Sequence, residues 1–139
     1  MVLAGVTLMP VTTTGASGSG DFLKAIRVVE CGDVANPPKG DGGNARGHYQ
    51  IWYAYWYDAV EFSSVGGAYA DCDKRDYAGK VVGAYMTRYA KAEWARAVVG
   101  TATMADLEKL ARIHNGGPKG HTKDATDPYW KKVKKELAK

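Results

Sequence analysis

Two acidic residues, Glu30 in VVECG and Asp41 in GDGGNARGHYQI, sit in surroundings that should push their acid strengths apart. In DFLKAIRVVE the residues Phe22, Ile26 and Val29 mark one apolar helical stripe. Glu30 follows Ile26 by one turn, so its carboxyl lies beside that stripe at the C-terminal end of the helix. Desolvation there disfavours the charged form, and the negative end of the helix dipole acts in the same direction. A carboxylic acid kept protonated near neutral pH is what a general acid requires. Asp41 has the opposite setting: its glycine neighbours expose backbone and admit water, so its carboxylate is expected to stay ionised, able to stabilise a cation or attack a carbon centre. One neutral and one charged carboxyl is the arrangement that cleaves a glycosidic bond. Helix position alone describes Glu30 more readily as a surface residue at a fraying end, and 15 acidic groups in 139 residues offer many such couples. The pair gains meaning only from the elements that hold it.

Those elements read as mainly helical. Residues 1–20 carry no sustained periodicity and are read as a leader or flexible tail, with one domain over 21–139 and Asp21 as the N-cap of its first helix. Within the tail, MVLAGVTLMP is apolar and VTTTGASGSG suits signal cleavage, but the basic n-region is missing. Residues 32–47 are loop or short hairpin, and HYQI is the part with strand character. IWYAYWYDAV has helical spacing at Trp52, Tyr55 and Trp56, although its aromatics suit a strand almost as well. Asp76 to about Tyr89 is expected to be helical. Thr103 to His114 is the clearest helix, with Thr103 and Asp106 forming a capping box and Leu107, Leu110, Ala111 and His114 on one face. DPYWKKVKKELAK adds a last helix with Asp127 as N-cap, Pro128 in its first turn and Trp130, Val133 and Leu137 buried. The expected class is α+β, mainly helical, with a small β or loop lobe near 39–51.

Composition sets limits on function. With 45% hydrophobic and 24% charged residues the chain is a folding sequence, and 139 residues suit one core. No segment has the apolar length of a membrane-spanning helix, so no membrane insertion is expected. The net charge of +4 is concentrated in KKVKKELAK, most simply a solvated helix face that helps the protein approach polyanions, and nucleic acid is not an expected partner. Three histidines and two cysteines close no metal site, so neither metal nor cofactor is expected. Cys31 and Cys72 make either one disulfide or two free thiols.

Five motifs in order carry a resemblance: VVECG, GDGGNARGHYQIWYAYW, VVGAYMTRYA, LARIHNGGPKG and ATDPYW. The chain resembles the invertebrate-type lysozymes, and within them the cysteine-poor relatives of destabilase, over about residues 21–135. HNGGP followed by YW is the specific part, and the lone VxE is weak. The resemblance implies a lysozyme-like fold and hydrolysis of the β-1,4 bond between N-acetylmuramic acid and N-acetylglucosamine in peptidoglycan by an exported enzyme. It implies that Glu30 is the general acid and Asp41 the nucleophile or stabiliser of a retaining mechanism.

Tyr49, Gln50, Tyr53, Trp56, His114 and Asn115 are the candidate substrate contacts, because aromatic faces pack on pyranose rings and amides pair with N-acetyl groups. Core packing explains the aromatics equally well. For His114 a ring that fixes the turn after its helix is the simpler role, and His121 is expected at the surface. The chain departs from the family pattern at Cys31, in place of a serine, at His48, beside the expected cleft, and at Asn44. Many animal members carry at that last position a serine implicated in cleaving ε-(γ-glutamyl)-lysine bonds. The alternatives are therefore a destabilase-type isopeptidase, a lytic transglycosylase-like enzyme in which one Glu suffices, and a wall-binding module without chemistry.

Overall fold

The computed structural model describes residues 18–139. Six α-helices follow one another among these residues: α1 (Ser19–Cys31), α2 (Tyr53–Phe62), α3 (Arg75–Tyr89), α4 (Lys91–Val98), α5 (Met104–Gly116) and α6 (Asp127–Leu137). Of the expected leader over 1–20, residues 1–17 lie outside the described residues, and its last two, Ser19 and Gly20, belong to α1, which begins two residues before Asp21. Gly18 is its N-cap, so Asp21 sits in the first turn, where its charge complements the helix dipole without capping it.

Apolar spacing decides how the helices pack. Phe22, Ala25 and Ile26 of α1 meet α4 and α6; Val81, Val82, Tyr85 and Met86 of α3 meet α2, α4 and α5; Leu107, Leu110, Ala111 and Ile113 of α5 join Val133 of α6. Phe22, Ile26, Leu107, Leu110 and Val133 have no exposed surface. Side chains of this size each contribute about 1.5–3 kcal/mol on full burial. At α5 the capping box forms as its sequence requires: the Thr103 hydroxyl accepts from the Asp106 amide at 3.1 Å and the Asp106 carboxylate accepts from the Thr103 amide at 2.9 Å. In α6 the cap moves by one residue, to Thr126, and Asp127 opens the helix. The short helix α4, which carries Trp94 and Ala97 inward, was not marked by the sequence pattern.

The β component of the expected α+β class shrinks to two isolated bridges among the described residues, Gly40 with Ala45 and Arg46 with Ile51. HYQI is not a strand. Gln50 takes a left-handed φ of 50° and its amide closes a turn onto Gly47 at 3.1 Å, so only Ile51 pairs. Gly47 is required there, because its φ is 76° and a Cβ would collide with the Cys72 carbonyl. The lobe is thus a loop pinned to the helices by close backbone contact.

α2 resolves the ambiguity of IWYAYWYDAV. It is helical because the spacing puts Tyr55 against Tyr85 of α3, with ring centroids 3.7 Å apart and planes 11° off parallel, and buries Ala59.

Candidate active site

α1 ends on Gly32 in the left-handed conformation, with the Gly32 amide bonded to the Val28 carbonyl and the Asp33 amide to the Arg27 carbonyl. This cap fixes the last turn and with it Glu30. The Glu30 side chain is only 19% exposed. Burial pushes its pKa up to about 7, against a smaller opposing effect of the Tyr129 hydroxyl; Asp41 adds to the rise and Lys132 opposes it. Tyr129 and Lys132 both come from α6. The Tyr129 hydroxyl is buried without a partner at full hydrogen-bond geometry, so its dipole favours ionised Glu30 without saturating it. Tyr129 itself is held protonated by that burial and by the Glu30 charge.

His114 of α5 lies beside the acid, with Nε2 3.8 Å from a Glu30 carboxyl oxygen. Its ring is buried and its pKa falls to about 4 through desolvation, so the contact is not an ion pair near neutral pH. Nε2 stands 3.0 Å from the Tyr49 carbonyl, and Nδ1 stands 3.0 Å from the Tyr55 hydroxyl. Because a carbonyl only accepts, the proton belongs on Nε2, and Nδ1 accepts from Tyr55. Both ring nitrogens are therefore occupied. His114 fixes the 40–51 loop to α5 and α2 in place of its own following turn, and its side chain, 3% exposed, keeps no unpaired nitrogen for a ligand.

Asp41 stands on the loop side. It is exposed, with a left-handed φ of 49°, and opens a short 3₁₀ turn whose other residues are Gly42 and Gly43. Its carboxylate accepts from the Trp52 indole at 3.3 Å. A Cβ at Gly40, just before it, would collide with the Gln50 side chain, so the backbone there passes directly over Gln50. The Gln50 amide donates to the carbonyls of Gly47 and Pro38 at 2.9 and 3.2 Å, which stiffens the loop that carries Asp41.

Next to this pair a cavity of about 360 Å³ opens between the loop, α2 and the end of α5. Gln50, Trp52, Tyr55, His114 and Asn115 are on its wall. Gln50, His114 and exposed Asn115 are thus brought to this cavity, whereas Tyr49, Tyr53 and Trp56 separate from it. Tyr49 is 1% exposed, its hydroxyl accepting from Arg27 at 2.8 Å, and its ring belongs to the core. Tyr53 and Trp56 turn toward Tyr69, Tyr53 stacking on Tyr57 and the Trp56 indole donating to the Tyr77 hydroxyl at 2.9 Å; neither lines the cavity.

Two participants were not anticipated, Trp52 and Tyr129. Trp52 was legible in principle, as an aromatic at the edge of a helix facing a glycine loop. Tyr129 was not, because only the packing of α6 on α1 brings it to Glu30.

The departures also take their places. Cys31 and Cys72 are both free thiols; Cys31 donates to the Arg27 and His48 carbonyls at 3.3 and 3.5 Å, and burial pushes Cys72 up to about 12. His48 is 6% exposed and sits in the core rather than on the cleft. His121, expected at the surface, is half-buried with an unpartnered Nδ1. Asn44 is exposed, and its carbonyl accepts from the Tyr69 hydroxyl at 3.0 Å. Among the described residues no three His, Cys, Asp or Glu side chains are grouped to hold a metal ion, and no helix is long and apolar enough to cross a membrane.

Residues 23–136 match the Destabilase family model. The chain is 38% identical over 92 residues to a lysozyme of Ostrea edulis, covering 65% of this chain and 58% of that one. It is 36% identical to a lysozyme of Meretrix lusoria, covering 68% and 69%, and 37% identical to invertebrate-type lysozyme 6 of Caenorhabditis elegans, covering 67% of each. Against some relatives it is the shorter match, spanning 58% of the Ostrea edulis protein and 42% of lysozyme 1 of Crassostrea virginica. An inhibitor-bound lysozyme from Meretrix lusoria superposes with a TM-score of 0.64 at 32% identity, covering 87% of this chain and 92% of that chain.

Proposed function

Because the chain belongs to the destabilase family of invertebrate-type lysozymes, with its mainly helical lysozyme-like fold, we propose that it is a muramidase. In this reading it hydrolyses the β-1,4 bond between N-acetylmuramic acid and N-acetylglucosamine of peptidoglycan. The observation that carries the reading is the contrast between Glu30, half-buried with a pKa near 7, and exposed Asp41, whose charge acts on Glu30. Relatives named lysozyme support it.

The chemistry follows from the contrast. Glu30, which burial keeps in part protonated near neutral pH, donates its proton to the leaving glycosidic oxygen as the bond to the anomeric carbon breaks. The Asp41 carboxylate attacks that carbon or stabilises its oxocarbenium-like charge, and the Trp52 N–H holds the carboxylate in place. Glu30, now ionised, takes a proton from the water that completes hydrolysis with retention. The partly engaged Tyr129 hydroxyl supports that ionised form, so the two protonation states of Glu30 remain close in energy. Asn115 offers its amide to N-acetyl groups, Gln50 its carbonyl oxygen alone because its N–H groups hold the loop, and Trp52 a ring face.

Acting on a wall implies export, and we assign residues 21–139 to the catalytic unit. The isopeptidase alternative finds little support, since the position of the serine is held by Asn44 and both nitrogens of His114 are occupied. Turbidity clearing of bacterial walls tests the proposal: the wild type clears, while Glu30→Gln and Asp41→Asn do not. Equal clearing by all three would remove both carboxylates from the mechanism. Mass spectrometry of the fragments distinguishes hydrolysis, which adds water, from formation of a 1,6-anhydro sugar.

A further inference from the structure

A second groove, of about 550 Å³, runs between α1, α3 and α4 and shares no wall residue with the cleft. Its floor is helix backbone at Gly79 and Gly83, one turn apart on α3. Glycine inside a helix is unfavourable relative to alanine. At Gly79 packing does not demand it, because a Cβ would meet only the Tyr49 ring, at ordinary contact distances of 3.5 Å and more. The space above is open. At Gly83 the Trp94 indole lies close against α3, where a Cβ would come within 3.3 Å of the ring. Trp94 is half-buried, makes an edge-type contact with Phe22 and lines the groove.

The charges around this groove are unbalanced. Arg27 is spent on structure, bonding Asp33 and the Tyr49 hydroxyl at 2.8 Å each. Arg75 has only Asp76 beside it, at 3.9 Å, and that carboxylate is 95% exposed; Lys80 has no carboxylate partner among the described residues. Arg75 reaches into the groove far enough for its charge to act on the Tyr49 phenol. An aromatic wall, helix backbone laid open at Gly79 and two cations without a close carboxylate suit a sugar ring that carries a carboxylate close by.

We propose that this groove binds a second segment of the wall polymer, Trp94 packing on a sugar ring while Arg75 and Lys80 pair with carboxylates of its stem peptides. The inference rests on the muramidase reading for the identity of the polymer, though not on cleavage. Its consequence is retention on insoluble wall independent of the cleft.

The test uses insoluble peptidoglycan stripped of teichoic acids, and full-length protein in a Glu30→Gln background that leaves the wall intact. Arg75→Gln with Lys80→Gln should weaken retention at least fivefold. Lys134→Gln with Lys135→Gln, the same loss of charge on α6, should weaken it less than twofold. In the otherwise wild-type protein both pairs should leave turnover of a short soluble oligosaccharide within twofold. Equal weakening by the two pairs would reduce the groove to bulk charge, and no weakening by the first would empty it. Weakening only on walls that keep their teichoic acids would assign the cations to phosphate and overturn the proposal. A wild type that fails to cleave the oligosaccharide would instead defeat the muramidase reading and leave the retention comparison readable.

Discussion

Two carboxylates at opposite ends of helices show how the same chemical group is turned to opposite uses. Asp106, in the first turn of α5, accepts from the Thr103 amide and takes a bidentate pair from Arg96 at 2.8 Å on each arm. The Arg96 bonds lead in holding its pKa down at about 2. Glu30, in the last turn of α1, has no such donors and is pushed up to about 7 by burial. A helix N-terminus with satisfied partners makes an acid that stabilises the fold. A helix C-terminus with a dry, half-satisfied surrounding makes one that destabilises it and is available for reaction.

The sign of each contribution follows from which state binds more protons. Between about 4.5 and 7 folded Glu30 keeps a proton that the unfolded chain has lost, so its contribution falls as pH rises through that window. Folded Asp106 is the reverse: its contribution is fully present above the usual value of 3.8 and is lost as pH falls toward 2. Buried His114, whose pKa falls to about 4, opposes Glu30 in the same window, because below about 6.5 the unfolded chain takes up a proton that the folded ring refuses.

The largest expected effect breaks the comparison at its reactive end. Glu30→Gln should lower clearing by about 10²–10⁴-fold, the range of a lost general acid. It should also raise stability at pH 8 by about 3 kcal/mol, since about 1.4 kcal/mol accompanies each tenfold change in proton affinity and the pKa rises from 4.5 to about 7. Chemical denaturation at pH 5 and pH 8 measures this, and a variant no more stable than wild type at pH 8 would mean that Glu30 is not held at a cost. At the stabilising end, Asp106→Asn should lower stability by about 1–2 kcal/mol through loss of the cap and the Arg96 pair. Clearing per folded molecule should be unchanged, and a parallel loss of activity would show that the two ends are coupled.

How much of this contrast was legible in the sequence depends on range. The Thr103 and Asp106 box is a local signal three residues long, and it formed as written. The raised pKa of Glu30 was legible because its apolar stripe lies within the same helix. Tyr129 was not, since it meets Glu30 only through the packing of α6 on α1. The loop was misread as partly strand because alternation in HYQI says nothing of the left-handed turns at Gly47 and Gln50 that interrupt it. Tyr49 and His114 were placed at the substrate because polar aromatics suit sugars, whereas their polar atoms are spent on Arg27, Tyr55 and the Tyr49 carbonyl. Helix α4 escaped because eight residues give too few turns for periodicity.

A smaller effect sharpens the account of Tyr129. Its hydroxyl favours ionised Glu30, so Tyr129→Phe should raise the Glu30 pKa further and move the alkaline limb of the clearing profile to higher pH. Because that hydroxyl is buried without a full partner, thermal stability should hold or rise slightly. A limb that stays in place would restrict Tyr129 to packing. Smallest is the effect of salt: with a net charge of +4, clearing of an anionic wall should fall as ionic strength rises, while hydrolysis of a short neutral oligosaccharide should not. Equal salt sensitivity on both substrates would place the effect in the cleft.

The central claim, that Glu30 is a carboxyl held at the edge of protonation and sensitive to Asp41, is tested most directly by carbon-13 NMR titration of the Glu30 side-chain carboxyl. A midpoint of about 7 is expected in the wild type, moving to lower pH in Asp41→Asn as the neighbouring charge is removed. A midpoint near 4.3, the ordinary value for glutamate, unchanged by Asp41→Asn, would contradict it.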